Sequence, residues 1–180
     1  MDNIRAAQAG EQRAFQYLVE QHADQVRRVV ISMLGEGPEA EDVAQEVFVR
    51  LYRSLCNFAG TAQLSTYLHR VAVNLSLDTL KKQKRRRRWY LPFGQQAEQA
   101  ANELADPDQQ IERQELNEGI GKALLQLTPD FRAVITLRLV QGYSVQETAD
   151  MLDIPVGTVA SRLARAQRKL QEILKAEGWQ

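Results

Sequence analysis

The amino-acid sequence predicts an all-α protein in which two small helical domains are joined by a flexible acidic linker, with a helix-turn-helix in the second domain. The 180-residue chain is only 7% aromatic and rich in Leu, Ala, Glu, Arg and Gln, which favours helices over strands. Apolar residues recur at three- and four-residue steps on both sides of its middle, as they do on one face of a helix. The stretch from Pro92 to Pro107 lacks such a stripe and therefore predicts a linker. We place the domains at 1–90 and 111–180, with the linker at 91–110.

Three long helices are predicted in the first domain. The first has one apolar stripe from Glu11 to Leu34 and ends at the glycines before Pro38. The second begins after Pro38, with acidic residues in its first turns, where they suit the positive end of the helix dipole. A third apolar pattern runs from Leu64 to Leu80. We expect these helices to form one bundle.

The charges are distributed unevenly, although the net charge is zero. Between residues 61 and 90 the only acid is Asp78, whereas bases crowd the run from Lys81 to Arg88. Residues 91–120 are acidic, with Arg113 as the only base. Like charges at this density favour a neutralising partner, and DNA phosphate is the one that we prefer. A nuclear-localisation signal is an alternative for such a run, but nothing else in the chain supports it.

Several functional classes are excluded by what the sequence lacks. A lone cysteine, Cys56, rules out an internal disulfide and a cysteine-based metal site, and His22 and His69 have no companion ligands at metal spacing. There is no Gly-rich phosphate loop and no nucleophile paired with a base. No apolar run approaches the roughly 20 residues of a membrane-spanning helix. We therefore expect a cytoplasmic protein with no catalytic site, cofactor, metal or direct membrane insertion.

The most informative segment, Ser144 to Leu163, reads as a helix-turn-helix. Ser144 and Glu147 have the spacing of a capping box, and Pro155 suits the start of the second helix. The outward face of the second helix then carries Gly157, Thr158, Ser161, Arg162, Arg165 and Arg168. Such a helix fits the major groove of DNA, where arginine bonds guanine edges. The alternative is an ordinary helical hairpin whose arginines are only solvated, but the combination of cap, turn and basic helix favours DNA binding.

Three segments, in order along the chain, resemble the extracytoplasmic-function group of bacterial sigma factors. Glu39 to Tyr52 is similar to that family's polymerase-binding helix, whose hallmark Asp-x-x-Gln-Glu is matched by Asp42, Gln45 and Glu46. Phe58 and the stretch from Leu64 to Asp78 are similar to the helix that melts the promoter and reads its −10 element. The helix-turn-helix resembles the one that reads the −35 element.

The resemblance implies a non-catalytic subunit that binds core RNA polymerase and promoter DNA in a stress or envelope response. It also implies control by an anti-sigma factor, which in this family is often membrane-anchored. The implied polymerase-binding residues are Glu39, Asp42, Val43, Gln45, Glu46, Phe48, Val49 and Tyr52. Those implied at the −10 element are Phe58, Tyr67, Arg70, Asn74, Asp78, Lys81, Lys82 and Arg85. At the −35 element they are Ser144, Thr158, Ser161, Arg162, Arg165 and Arg168.

The chain departs from the family pattern at several positions. Tyr67 stands where the family usually has Trp, Val73 where it has Arg, and Ala160 where Lys is frequent, so the promoter preference stays open. Asp153 replaces the usual turn glycine, which is tolerable because Asp can adopt the left-handed conformation.

Two other functions are alternatives to that of a sigma factor. A stand-alone helix-turn-helix regulator would explain only the C-terminal part of the chain. A helical adaptor that binds proteins would leave the basic run without a role, and it would not confer transcription on core polymerase. Phe58, Tyr67 and Trp89 are candidates for stacking on unpaired bases, although single aromatic residues more often pack in a core.

Overall fold

The computed structural model describes residues 2–58, 63–90 and 119–179, and all regular secondary structure within them is helical. The N-terminal half, residues 2–90, contains α1 (Asp2–Gln8), α2 (Gln12–Leu34), α3 (Pro38–Ser54) and α4 (Leu64–Tyr90). The C-terminal half, residues 119–179, contains α5 (119–125), α6 (Pro129–Ile135), α7 (Val145–Leu152) and α8 (Val156–Ala176). The predicted all-α class is confirmed. The predicted linker, 91–110, lies outside the described residues.

The N-terminal half is the predicted bundle, built around α2. The apolar stripe of α2 is buried as expected, from Leu18 through Val26 to Met33. It packs against the buried faces of α3 and α4. The helix ends at Gly35, whose φ of 83° is a conformation that glycine adopts without steric cost.

Helix α1 was not predicted. It covers one end of the bundle, where Ala7 is 8% exposed and joins the core. The Gln8 side chain donates hydrogen bonds to the carbonyls of Leu55 (3.0 Å) and Phe58 (2.9 Å). These bonds satisfy backbone groups where α3 gives way to a short 3-10 turn, Leu55–Asn57. Helix α1 therefore covers the end of the bundle at which α3 ends.

The C-terminal half has two adjoining apolar clusters. Leu124, Ile135 and Ala166 join α5, α6 and α8 in one cluster. Ala149 and Val159 join α7 and α8 in the other, which is the core of the helix-turn-helix. Helix α6 continues as a π-helical turn, Thr136–Val140.

The two halves pack directly against each other. Ala133, Leu137 and Met151 of the C-terminal half are at most 3% exposed and belong to the same buried cluster as the N-terminal core. Leu125 also contacts the end of α2, since a Cβ added to Gly35 would lie 3.0 Å from Leu125 Cδ1. This arrangement was not predicted from the sequence.

Candidate nucleic-acid and protein interfaces

The capping box of the helix-turn-helix is present. The Glu147 backbone N–H donates to Ser144 Oγ (3.1 Å), and the Ser144 N–H donates to Glu147 Oε2 (2.7 Å). Hydrogen bonding by the side chain and the backbone N–H of Ser144 lowers the pKa of the Glu147 carboxyl, because it favours the charged form. The start of α7 is therefore set locally, as predicted. Ser144 remains exposed, so its hydroxyl can still donate to a phosphate oxygen.

The turn between α7 and α8 is made by Asp153. Its φ of 53° and ψ of 49° are left-handed, and among the described residues it is the only non-glycine with positive φ. The Ile154 N–H then donates to the Ala149 carbonyl (3.1 Å), which is the bond expected at a Schellman-type helix end. Pro155, with φ of −59°, leads directly into α8. The expectation that Asp would replace the usual turn glycine in this conformation is confirmed.

Helix α8 presents one exposed stripe. Gly157, Ser161, Arg165 and Arg168 are exposed, and Thr158 is half-buried at the edge. Their spacing places them opposite the buried positions Val159, Ala166 and Ile173 of the same helix. The hydroxyl of Ser161 donates to the Thr158 carbonyl (3.0 Å), which leaves its oxygen free to accept. Two cations and small polar groups thus face outward on a helix that a major groove can accommodate.

Arg162 differs from the other residues predicted on this face. Its side chain is 29% exposed and its Nη2 lies 3.2 Å from Oδ2 of Asp130, at the start of α6. Arg162 therefore lies at the flank of α8 rather than in the middle of the outward stripe. Asp130 was not singled out in the sequence, because the two residues are far apart in the chain.

Helix α4 carries the second exposed stripe. Arg70, Asn74, Lys81 and Arg85 are all exposed, and at about 100° per residue they lie on one side of the helix. Asp78 lies on the same side and pairs with Lys81 (3.4 Å), but both are largely exposed, so the pair is weak. The stripe extends about 22 Å along the helix at 1.5 Å per residue. Lys82 is exposed beside it.

The aromatic residues predicted near this stripe pack against each other. The rings of Phe58 and Tyr67 are 5.6 Å apart at 67°, and Tyr67 Oη shares a hydrogen bond with Ser54 Oγ (2.7 Å). Both side chains are half-buried. Val73, which stands where the family usually has Arg, is 1% exposed and belongs to the core. The side chain of Trp89 lies outside the described residues.

Helix α3 carries the third exposed stripe, at positions 42, 45, 49 and 52. Asp42 and Gln45 are exposed, Val49 is 40% exposed and Tyr52 is 66% exposed. The Tyr52 ring rests edge-on against Phe15, with 5.2 Å between the ring centroids. A polar pair and an apolar pair thus lie in one row, and exposed polar and apolar groups side by side are typical of a protein-binding surface.

The other residues predicted for this surface lie elsewhere on α3. Val43, which the resemblance implies at the polymerase-binding surface, is 7% exposed and belongs to the core. The apolar spacing of the helix requires it inside. Phe48 is half-buried against the same core, and Glu46 is half-buried at the edge. Glu39 is exposed and accepts a hydrogen bond from Gln83 Nε2 of α4.

The structure gives no indication of a metal or membrane site in the part of the chain that it describes. Across 2–58, 63–90 and 119–179, no three His, Cys, Asp or Glu side chains form a group that could hold a metal ion. No helix in these ranges has the length and apolarity needed to cross a bilayer.

Two family models match the chain. One, described as Sigma-70 region 2, matches residues 18–86, and the other, described as Sigma-70, region 4, matches residues 118–170. The first contains α3 and the exposed stripe of α4, and the second contains the helix-turn-helix.

Individual proteins agree with these models. The ECF RNA polymerase sigma factor SigW of Bacillus subtilis (strain 168) is 34% identical over 183 residues, covering 96% of this chain and 95% of SigW. The structure of CnrH in complex with the cytosolic domain of CnrY has a TM-score of 0.68 at 26% identity, covering 97% of this chain and 96% of CnrH. The sigma factor RpoE of Bartonella quintana, crystallised with the anti-sigma factor NepR, has the same TM-score at 24% identity over 89% of this chain and 96% of RpoE, which supports the fold. The chain therefore belongs to the sigma-70 family and, within it, to the extracytoplasmic-function group of RNA polymerase sigma factors.

Proposed function

We propose that three helices of this sigma factor each bind a different partner. The α3 stripe at 42, 45, 49 and 52 binds core RNA polymerase. The α4 stripe contacts and opens the −10 element, and the outward face of α8 reads the −35 element. The chain itself supplies no catalytic group and acts in the cytoplasm. The observation that carries this proposal is that each helix exposes one stripe of the appropriate chemistry, while its opposite face is buried.

The chemistry of each stripe suits its partner. Positive side chains on α4 neutralise phosphates, and the Asn74 amide can bond the edges of unpaired bases. On α8, arginine can bond guanine in the major groove. On α3, the exposed Val49 and Tyr52 supply apolar contact area beside Asp42 and Gln45. Aromatic residues of this kind are enriched among the residues that dominate protein interfaces.

The α3 assignment is tested by removing polar groups from its stripe. Asp42→Ala with Gln45→Ala should weaken binding to core polymerase at least tenfold, because two interfacial polar contacts are lost. Gln16→Ala with Glu20→Ala is the matched control, since it removes an amide and an acid from an exposed face of α2. Equal affinity for core polymerase in the test and control variants would exclude the α3 stripe as the binding surface.

The α8 assignment is tested by promoter-specific transcription. Arg165→Ala with Arg168→Ala should leave binding to core polymerase unchanged and reduce initiation at promoters that depend on a −35 element. A lost base-edge contact costs about 1–3 kcal/mol, or roughly five- to 150-fold. Lys122→Ala with Lys169→Ala removes two exposed charges outside the stripe, one from α5 and one from the flank of α8, and serves as the control. Loss of core binding by the arginine pair would contradict the proposal.

We also propose that an anti-sigma factor holds the protein inactive until a stress signal releases it. The Bartonella quintana relative was crystallised with such a factor, and exposed apolar residues such as Tyr52 and Leu139 offer surfaces for one here. Tagged protein purified from unstressed cells should carry a stoichiometric partner that blocks transcription by the purified chain and core polymerase in vitro. Recovery of core polymerase alone, from stressed and unstressed cells equally, would contradict this control.

A further inference from the structure

A side chain of α1 holds the backbone of Phe58 in place. The Gln8 amide is half-buried and donates to two carbonyls at once, those of Leu55 (3.0 Å) and Phe58 (2.9 Å). An amide nitrogen carries two protons, so each carbonyl receives one of them. The Phe58 N–H in turn donates to the Leu55 carbonyl (3.0 Å). Gln8 therefore fixes both the 3-10 turn that begins at Leu55 and the residue that follows this turn.

The position of Gln8 is itself set by the way α1 ends. The Gly10 N–H donates to the Ala7 carbonyl (3.1 Å), and the Glu11 N–H donates to the Ala6 carbonyl (3.0 Å). This pair of hydrogen bonds is a Schellman motif, which requires a positive φ and favours glycine, and φ of Gly10 is 91°. Ala7 is buried in the core of the bundle. Gln8 therefore cannot shift relative to the bundle without the loss of these contacts.

The Phe58 ring meets the ring of Tyr67 near the start of α4. The ring centroids are 5.6 Å apart and the ring planes make an angle of 67°, which is an edge-to-face geometry that aromatic pairs prefer. Tyr67 is also tied to the end of α3, because its hydroxyl shares a 2.7 Å hydrogen bond with Ser54 Oγ. Both rings are half-buried, so part of each remains accessible. The aromatic pair is thus held by α1 on one side and by α3 on the other.

The aromatic pair continues the exposed stripe of α4. Tyr67 precedes Arg70 by three residues and Asn74 by seven, so the three side chains lie on one side of the helix. At 1.5 Å per residue, Tyr67 and Asn74 are about 10 Å apart along the helix axis. A DNA strand bound along the stripe therefore comes within reach of the pair. Aromatic rings are the groups on which unpaired bases stack in proteins that bind single strands.

We propose that Gln8 is a positioning residue for the opening of the −10 element, because it holds Phe58 against Tyr67 in the arrangement that captures unpaired bases. This inference rests on the function proposed for α4. A stacking surface that is fixed before binding loses less conformational entropy than one that must be ordered on contact. Gln8 acts through Phe58 and does not itself touch the DNA.

Two DNA probes test this role in the complex with core polymerase. One is the single strand of a −10 element from a promoter at which the protein initiates, and the other is a duplex that carries only the −35 element. Gln8→Met keeps the length of the side chain and removes both donors. It should weaken binding of the single strand about three- to tenfold, which is part of the roughly five- to 150-fold that one stacked base contributes. Binding of the duplex should not change.

Two further variants complete this comparison. Gln8→Glu replaces the donor with a carboxylate that only accepts, and it should weaken binding of the single strand at least as much as Gln8→Met. Gln12→Met, at an exposed glutamine in the first turn of α2, is the matched control and should bind both probes normally. Equal affinity of Gln8→Met and Gln12→Met for the single strand would overturn the proposal. An equal loss for both probes in Gln8→Met would also overturn it, since that result indicates a general loss of structure.

A combination with Phe58→Ala shows whether Gln8 acts through this ring. Phe58→Ala alone should weaken binding of the single strand at least as much as Gln8→Met does. Gln8→Met added to Phe58→Ala should then have no further effect, because the ring that Gln8 positions is gone. Losses that multiply in the double variant would contradict the proposal, because Gln8 would then act by another route.

Nuclear magnetic resonance of the free protein measures the aromatic pair without polymerase. Overhauser contacts between the rings of Phe58 and Tyr67 should weaken in Gln8→Met and stay unchanged in Gln12→Met. Unchanged contacts and unchanged single-strand binding in Gln8→Met, beside a wild type that initiates normally, would refute the positioning role alone. A wild-type complex that binds neither probe and does not initiate would instead refute the proposed function.

Discussion

Acidification should destabilise the folded chain through His69. In the structure the pKa of His69 is lowered to about 4, first by burial and then by the nearby His22 and Arg28 of α2. Tyr143 and, beyond it, Glu147 face the imidazole from the C-terminal half. In the unfolded chain the pKa returns to its ordinary value of about 6.5. Between these values the unfolded chain binds more protons than the folded chain, so stability is complete above pH 6.5 and falls as the pH decreases toward 4.

The size of the effect follows from the two pKa values. Between pH 7.5 and pH 5.5, protonation of His69 should reduce the free energy of unfolding by about 1.3 kcal/mol, close to a tenfold change in the folding equilibrium. The assay is urea-induced unfolding followed by circular dichroism at both pH values. Every other titrating group contributes to the same measurement, and a variant is needed to isolate His69.

His69→Gln provides that comparison. An amide does not titrate in this range and can still bond the Tyr143 hydroxyl. The decrease in stability from pH 7.5 to pH 5.5 should therefore be smaller in His69→Gln than in the wild type by about 1.3 kcal/mol. If the two proteins lose the same stability over this interval, His69 is not held neutral by burial, and the reasoning is refuted.

Three further predictions concern the helices that we propose to contact DNA. Asp153→Gly should preserve or raise the melting temperature, whereas Asp153→Val should lower the free energy of unfolding by about 1–2 kcal/mol, since β-branched residues resist left-handed φ. Equal melting temperatures of these two variants would contradict the observed turn. Lys82→Ala with Arg85→Ala should weaken promoter binding by the polymerase complex equally for all sequences. The slope of the logarithm of the binding constant against the logarithm of the salt concentration should become shallower by about two. A sequence-selective loss would indicate base contacts instead. Asp130→Asn should change stability by less than about 1 kcal/mol and raise affinity at −35-dependent promoters by up to about fivefold, because Arg162 no longer has to leave its ion pair. Reduced affinity would show instead that Asp130 positions Arg162 for DNA.

The predicted linker can be tested by a simple experiment. Limited proteolysis of the free protein should cut first between residues 92 and 107, because this stretch has no apolar stripe to bury. Cleavage inside both flanking halves, with this segment protected, would contradict the two-domain interpretation.

Local signals explain which elements could be predicted. The capping box of Ser144 and Glu147 and the turn at Asp153 depend on atoms within a few residues of one another, so their geometry follows from the sequence pattern. The long apolar stripes of α2 and α3 were equally clear. Helix α1 was missed because it is only 7 residues long, which is too short for a periodic pattern and too short to be stable without the bundle.

The sequence by itself determined the all-helical class, the buried faces of the long helices, the helix-turn-helix and the family, because each depends on short-range spacing or on ordered motifs. It also identified the exposed polar residues of α3, α4 and α8. Only the tertiary structure decided that Arg162 pairs with Asp130 and that the two halves are docked. The docking contacts join residues far apart in the chain, 99 positions for Arg132 with Met33 and 74 for His69 with Tyr143. No periodicity or cap encodes such a pair, since its free energy arises only when both halves are folded and water is excluded between them.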